Sequence, residues 1–188
     1  MHLLRRKIAS ITCTGAAAFI LVLAAASVAA AQTTTAPPVT PKPTLTAAQQ
    51  KLLWATVNIC DTVDHPDTIG VAGSMPVIKR AKRFYMRFRL QYRDASTETF
   101  KTVPGLAADS GWVEVEPSSG RARKAGHDFE LAVPPDSEGY TVRAEVSFQW
   151  RTRKRMLLFA KRLTTPSHPR TMAADPKRFS AAVCTIKP

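Results

Sequence analysis

The stretch from Tyr140 to Trp150 alternates without interruption: Tyr140, Val142, Ala144, Val146, Phe148 and Trp150 fall on one side, and Thr141, Arg143, Glu145, Ser147 and Gln149 on the other. A helix would scatter these apolar positions around its axis. A strand gathers them on one face, which only a second layer of structure can hide. Arg83 to Arg93 repeats the pattern, with Phe84, Met86, Phe88, Leu90 and Tyr92 inward and Arg83, Tyr85, Arg87, Arg89, Gln91 and Arg93 outward. Matching length and period make these segments the expected central pair of a sheet.

Shorter strands are expected over Trp54 to Cys60, Thr68 to Ala72, Phe100 to Val103, Trp112 to Glu116, Asp128 to Val133, Met156 to Leu163 and Phe179 to Ile186. They are separated by turn formers, such as the loop Asp61 to Asp67, the run Gly73-Ser74-Met75-Pro76 and Ser118-Ser119-Gly120. Asp175-Pro176 reads as an N-cap and first-turn proline of one helical turn. No long helical period interrupts the series, so the pattern indicates an all-β antiparallel sandwich of about 7–9 strands.

Residues 1–31 join a cationic start (Arg5, Arg6, Lys7) to an apolar run and to small residues, with Ala29 and Ala31 in the positions a signal peptidase reads. A signal peptide cleaved near Ala31 is expected. The competing reading is an uncleaved anchor, since no charge occurs between Lys7 and Lys42. Cys13 precedes the apolar core, which argues against lipid attachment. Residues 32–50 are rich in Thr and Pro and are expected to form a flexible linker, ending in a capping box at Thr46-Ala47-Ala48-Gln49. The folded domain is expected over residues 51–188, in a secreted or envelope-associated protein.

Asp136-Ser137-Glu138-Gly139-Tyr140-Thr141-Val142 resembles the approach to the penultimate strand of immunoglobulin-like domains, where a Tyr closes a corner by bonding to nearby backbone. Leu131 with the Pro-containing turn ahead of Tyr140 is similar to the same region of fibronectin type III modules. The resemblance implies an immunoglobulin-like β-sandwich and a corner role for Tyr140. Val142 occupies the place of the second intersheet cysteine of antibody domains, so that disulfide is not expected. The whole chain is similar to small exported proteins of high-GC bacteria, which implies no activity.

Beyond the leader the chain holds Cys60 and Cys184, one in the first expected strand and one in the last. In an exported protein they are expected to pair, closing a loop of about 125 residues that the chain-entropy model rates at roughly 4–5 kcal/mol. The densest set of potential metal ligands is Asp61, Asp64, His65 and Asp67. Their spacing is not that of an EF-hand and suits an ordinary turn, so no metal and no cofactor is expected. His127 and His168 are expected in solvent. Glu114 and Glu116 share a face by the strand period, and a carboxylate pair serves acid–base chemistry only beside a cleft. No G-x-S-x-G, H-E-x-x-H or phosphate loop is present.

The formal charge is +13, and +10 remains without Arg5, Arg6 and Lys7. With the long strands paired, Arg83, Arg87, Arg89 and Arg93 would stand near Arg143 and Arg151. The turn Arg151-Thr152-Arg153-Lys154-Arg155 would extend the patch, with Lys161 and Arg162 on the return strand. Guanidinium groups so arranged can meet carboxylate or phosphate bidentately, with Tyr85 among them, whereas solvation alone is the competing account of such a face. The expected partner is an anionic envelope polymer or an acidic protein. Nucleic acid is disfavoured by the export signal, and a membrane enters only if the leader stays uncut. The expected function is that of an exported, noncatalytic binding or structural module. The alternative is a secreted enzyme or enzyme inhibitor whose working residues lie on loops.

Overall fold

The computed structural model describes residues 43–116 and 119–188, so the expectations for the leader at 1–31 and the linker as far as 42 lie outside the described residues. The capping box is formed. Thr46 N–H donates to Gln49 Oε1 at 2.9 Å and Gln49 N–H to Thr46 Oγ1 at 3.3 Å, starting the single turn α1 (Ala47–Gln50). Leu45, just ahead of it, packs against the core.

The strands are β1 (Trp54–Cys60), β2 (Thr68–Pro76), β3 (Arg83–Arg93), β4 (Phe100–Thr102), β5 (Val113–Glu114), β6 (Ala122–Glu130), β7 (Tyr140–Arg151), β8 (Met156–Leu163) and β9 (Cys184–Ile186). They form two antiparallel sheets. The first has the order β1-β2-β6; the second has the order β4-β3-β7-β8, with β5 also on β3 and β9 also on β7. As the alternation requires, β3 and β7 are neighbours in an unbroken register from Arg83↔Arg151 to Tyr92↔Val142.

The inward faces of both sheets share one core, an arrangement compatible with a β-sandwich. Phe88 and Val146 lie opposite each other, each 0% exposed, beside Phe84, Met86, Leu90, Phe148 and Trp150. They meet Val57, Ile69, Val71, Met75 and Phe129 of the first sheet. Burying each large side chain stabilises the fold by about 1.5–3 kcal/mol. Trp150 satisfies its indole N–H on Pro76 O at 2.8 Å, so the largest core residue also ties the sheets together.

Cys60 and Cys184 are disulfide-bonded, with Cα atoms 5.4 Å apart, joining β1 of the first sheet to β9 of the second. Cys184 lies directly opposite Val142 in the β7–β9 ladder. The intersheet link therefore stands one strand away from the place the antibody pattern would give it.

Several expectations are corrected. The strand expected over Thr68 to Ala72 continues to Pro76, because Gly73 leaves the space taken by the Met86 sulfur, which a Cβ there would approach to 3.0 Å. The strand expected over Asp128 to Val133 is β6, Ala122–Glu130. Its inward positions carry Arg123 and His127 in place of an apolar alternation. The Arg123 guanidinium covers the Phe84 ring at 4.0 Å and donates to Val115 O, while His127 meets the Phe129 ring edge-on at 4.6 Å. His127 is thus half-buried rather than solvated.

Asp175-Pro176 starts no helix: Asp175 bridges Ile59 and bonds Asn58 O through its N–H at 2.9 Å, so this stretch runs along β1. Of the strand expected over Phe179 to Ile186 only β9 is formed, because the chain before it serves the opposite sheet. Thr165 and Ala181 N–H bond Ala55 O and Val57 O at 2.9 and 3.0 Å, covering the open edge of β1. In this strap His168 stacks on Trp54 with centroids 4.4 Å apart, and burial lowers its pKa. The Tyr140 corner is not formed. Tyr140 is 38% exposed, and among the described residues its hydroxyl has no hydrogen-bond partner.

A candidate anion-contacting face

Because alternate residues of β3 and β7 fill the core, Arg83, Arg87, Arg89, Arg93, Arg143 and Arg151 all stand on the outer face of the second sheet. Tertiary contacts divide them into three environments.

Arg87 and Arg89, at mid-strand, are neutralised. Arg87 Nε donates to Asp109 Oδ1 at 2.7 Å and its Nη2 to Asp109 Oδ2; the hydrogen bond to Arg87 holds the Asp109 carboxyl below its ordinary range and raises the guanidinium. Arg89 Nη2 and Lys161 Nζ both reach Glu145 Oε1, at 2.6 and 2.9 Å. Burial opposes ionisation of Glu145, but the bonds from Lys161 and Arg89 outweigh it and keep the pKa low. Lys161 therefore shares the outer face, whereas Arg162, paired with Val146, is on the other side and reaches Gln50.

At the end of the sheet near Tyr140, Arg93 pairs with Glu98 at 3.3 Å. Arg143 donates to Gln91 at 2.8 Å, with its guanidinium 3.9 Å from the Phe100 ring centroid.

The opposite end is different. Arg83 and Arg151 face each other across the β3–β7 ladder, and the carboxylate in contact is Glu114, 3.9 Å from Arg83. Arg151 has a bond to Gln149 at 3.3 Å. The β7–β8 turn follows, its shape set by Thr152 Oγ1, which accepts from Lys154 N–H at 3.2 Å and Arg155 N–H at 3.0 Å. Arg153, Lys154 and Arg155 are exposed, and among the described residues their side chains have no ion-pair partner. The exposed Lys79, Arg80 and Lys82, which sequence reading passed over, lie on a loop joined to this end by the bond from Lys82 N–H to Arg151 O at 2.7 Å.

Between these groups lies an open cleft of about 340 Å³ lined by Arg83, Tyr85, Trp112, Gln149, Arg151, Thr152 and Arg153. Trp112 is 39% exposed, and its ring meets Phe159 of β8 nearly edge-on, with centroids 6.4 Å apart. Local structure aims Trp112 there. Asp109 is clamped to Arg87 and accepts from Gly111 N–H at 3.0 Å, Ser110 N–H bonds Phe88 O at 3.0 Å, and Gly111 turns the chain with φ 65. Arg87 thus positions the loop that carries the indole. Tyr85 is oriented by its bond to Glu114 at 3.1 Å. Trp112 and Glu114 share a face by the strand period, as do Phe159 and Lys161, a signal that could have placed both rings among the cations.

The loop holding Asp61, Asp64, His65 and Asp67 is organised by turn bonds. Asp61 Oδ1 accepts from Asp67 N–H at 2.9 Å and Thr62 Oγ1 from His65 N–H at 3.2 Å. Among the described residues no group of three or more His, Cys, Asp or Glu is placed to hold a metal ion. Glu114 is engaged by Tyr85 and Arg83, and Glu116 is exposed. Among the described residues no helix is long and apolar enough to cross a membrane. No family model matches the chain, and no match is found among curated proteins.

Proposed function

We propose that the protein is an exported, noncatalytic binding module of immunoglobulin-like architecture that contacts anionic polymers of the cell envelope or its surroundings. The architecture is supported by the strand order: β1-β2-β6 facing β4-β3-β7-β8 follows the two-sheet Greek-key arrangement of immunoglobulin and fibronectin type III domains. Export is supported by the leader-like start of the sequence and by the Cys60–Cys184 bond, which suits an oxidising compartment.

The observation that carries the binding reading is the uneven charge compensation. Arg87 and Arg89 have carboxylate partners, whereas Arg151, Arg153, Lys154 and Arg155, at and beyond one end of β7, have none among the described residues. Such a site attracts polyanions at long range and holds them by charge-assisted hydrogen bonds, so affinity falls as salt rises. Retention on heparin, a wall polymer and DNA across a salt series tests the reading. Retention that persists on one anionic polymer at salt concentrations releasing the others supports a site. Equal loss from all three at modest salt would reduce the face to solvated charge.

A further inference from the structure

We infer that the cleft beside Trp112 is a subsite for a pyranose ring of an acidic glycan, of the uronic-acid class. In this arrangement the sugar packs on the indole and its carboxylate meets Arg151 and Arg153. The inference rests on the anion-binding reading and specifies the ligand of that same site.

A purely electrostatic face needs no exposed aromatic ring, yet Trp112 is 39% exposed among guanidinium groups and lines their cleft. Its position is held by the clamp of Asp109 on Arg87 and by its edge contact with the ring of Phe159. An indole fixed in this way offers a flat apolar surface to the C–H face of a sugar or to a base, and little to an acyclic polyol phosphate. The polar groups then favour the sugar. Gln149 and Thr152 line the cleft, and Glu114 stands beside it on Tyr85 and Arg83. A carboxylate there can accept from sugar hydroxyls, which a pyranose carries around its rim, whereas it repels a phosphodiester backbone. Guanidinium groups lining the same cleft as the indole match a carboxylate borne on a ring packed there.

The test titrates the full chain with oligogalacturonate, with the same oligomer methyl-esterified, and with oligothymidylate of equal charge, following heat of binding and tryptophan fluorescence. Oligogalacturonate is expected to bind at least tenfold more tightly than either control and to perturb the fluorescence. Trp112→Ala is expected to weaken binding about tenfold with the salt dependence unchanged, as loss of ring contact would do, and Trp112→Phe to retain most of it. Arg151→Gln is expected to weaken binding and flatten the salt dependence, while Arg170→Gln, at a residue whose carbonyl accepts from Lys124 of the first sheet and which does not line the cleft, leaves both as they were. Circular dichroism of each variant separates loss of contact from loss of fold. If Trp112→Ala binds oligogalacturonate as the parent does while Arg151→Gln does not, the ring subsite is wrong and the anionic face stands. Tighter binding of oligothymidylate would overturn the glycan in favour of nucleic acid. Binding of no polyanion at low salt would remove the underlying reading as well.

Discussion

Arg83 and Arg151 lie directly opposite each other across the β3–β7 ladder, with Glu114 at 3.9 Å from Arg83 as the carboxylate in reach. Like charges in cross-strand positions destabilise a sheet. Arg151→Gln is therefore expected to keep or raise stability, by up to about 1 kcal/mol, while weakening polyanion retention. Arg89→Gln is the contrasting case, because it removes one of two cations from the half-buried Glu145 and is expected to lower stability. Urea denaturation should show a loss for Arg89→Gln and none for Arg151→Gln; a matching loss in both would show that the Arg83–Arg151 pair carries no repulsion.

Acid should unfold the protein through the same ion pairs. The hydrogen bond from Arg87 lowers the Asp109 pKa, and at Glu145 the bonds from Lys161 and Arg89 outweigh the opposing effect of burial. Both folded-state values lie below the unfolded ones, near 4, so below that pH the unfolded chain binds more protons than the folded one. Stability from these groups is complete above about pH 5 and is lost as pH falls through the folded-state values. Thermal midpoints between pH 7 and 2 should stay level and then fall. Asp109→Asn should start lower and show a shallower acid limb; an unchanged limb in an Asp109→Asn, Glu145→Gln double variant would assign the acid sensitivity elsewhere.

The covalent link between the sheets is expected to be a major stabilising element. Cys60 and Cys184 are 124 positions apart, and removing a native disulfide from a small domain typically costs about 2–5 kcal/mol. A Cys60→Ala, Cys184→Ala variant should show that loss in urea unfolding. Equal stability would mean that the terminal strands are held by packing alone.

Gly139 enters β7 with φ 85, and a Cβ there would collide with the backbone carbonyl of Ile186 in β9. Gly139→Ala is expected to destabilise the protein by more than about 1 kcal/mol, since both backbone conformation and space oppose a side chain. The measurement is the unfolding midpoint, with slower thermal unfolding of the variant counting against the account.

Where a strand buries one face and exposes the other, its limits are legible from residue order. For β3 the sequence reading coincides with the observed span, and for β7 it falls one residue short of Arg151; the spans of β1 and β8 coincide as well, although β1 is buried on both faces. The exceptions share a cause. The inner face of β6 carries Arg123 and His127, whose polar atoms or rings find partners on Val115, Phe84 and Phe129, so local polarity misreports their burial. The stretch ahead of β9 reads as a strand but lies along β1, bonded at Ala181. Trp112 shares a face with Glu114 by the strand period, but the Asp109–Arg87 clamp that holds the loop carrying it is invisible in the sequence.

Residue order alone determined that two long strands would turn Phe88 and Val146 inward and set rows of arginine outward, because that alternation is a local property of extended backbone. Tertiary structure decided which arginines remain uncompensated. Asp109 is 22 positions from Arg87 and Glu145 is 56 from Arg89, so these neutralising contacts exist only once the chain has folded. At the ångström separations of an ion pair the folded path of the backbone, not spacing along it, sets the electrostatic energy.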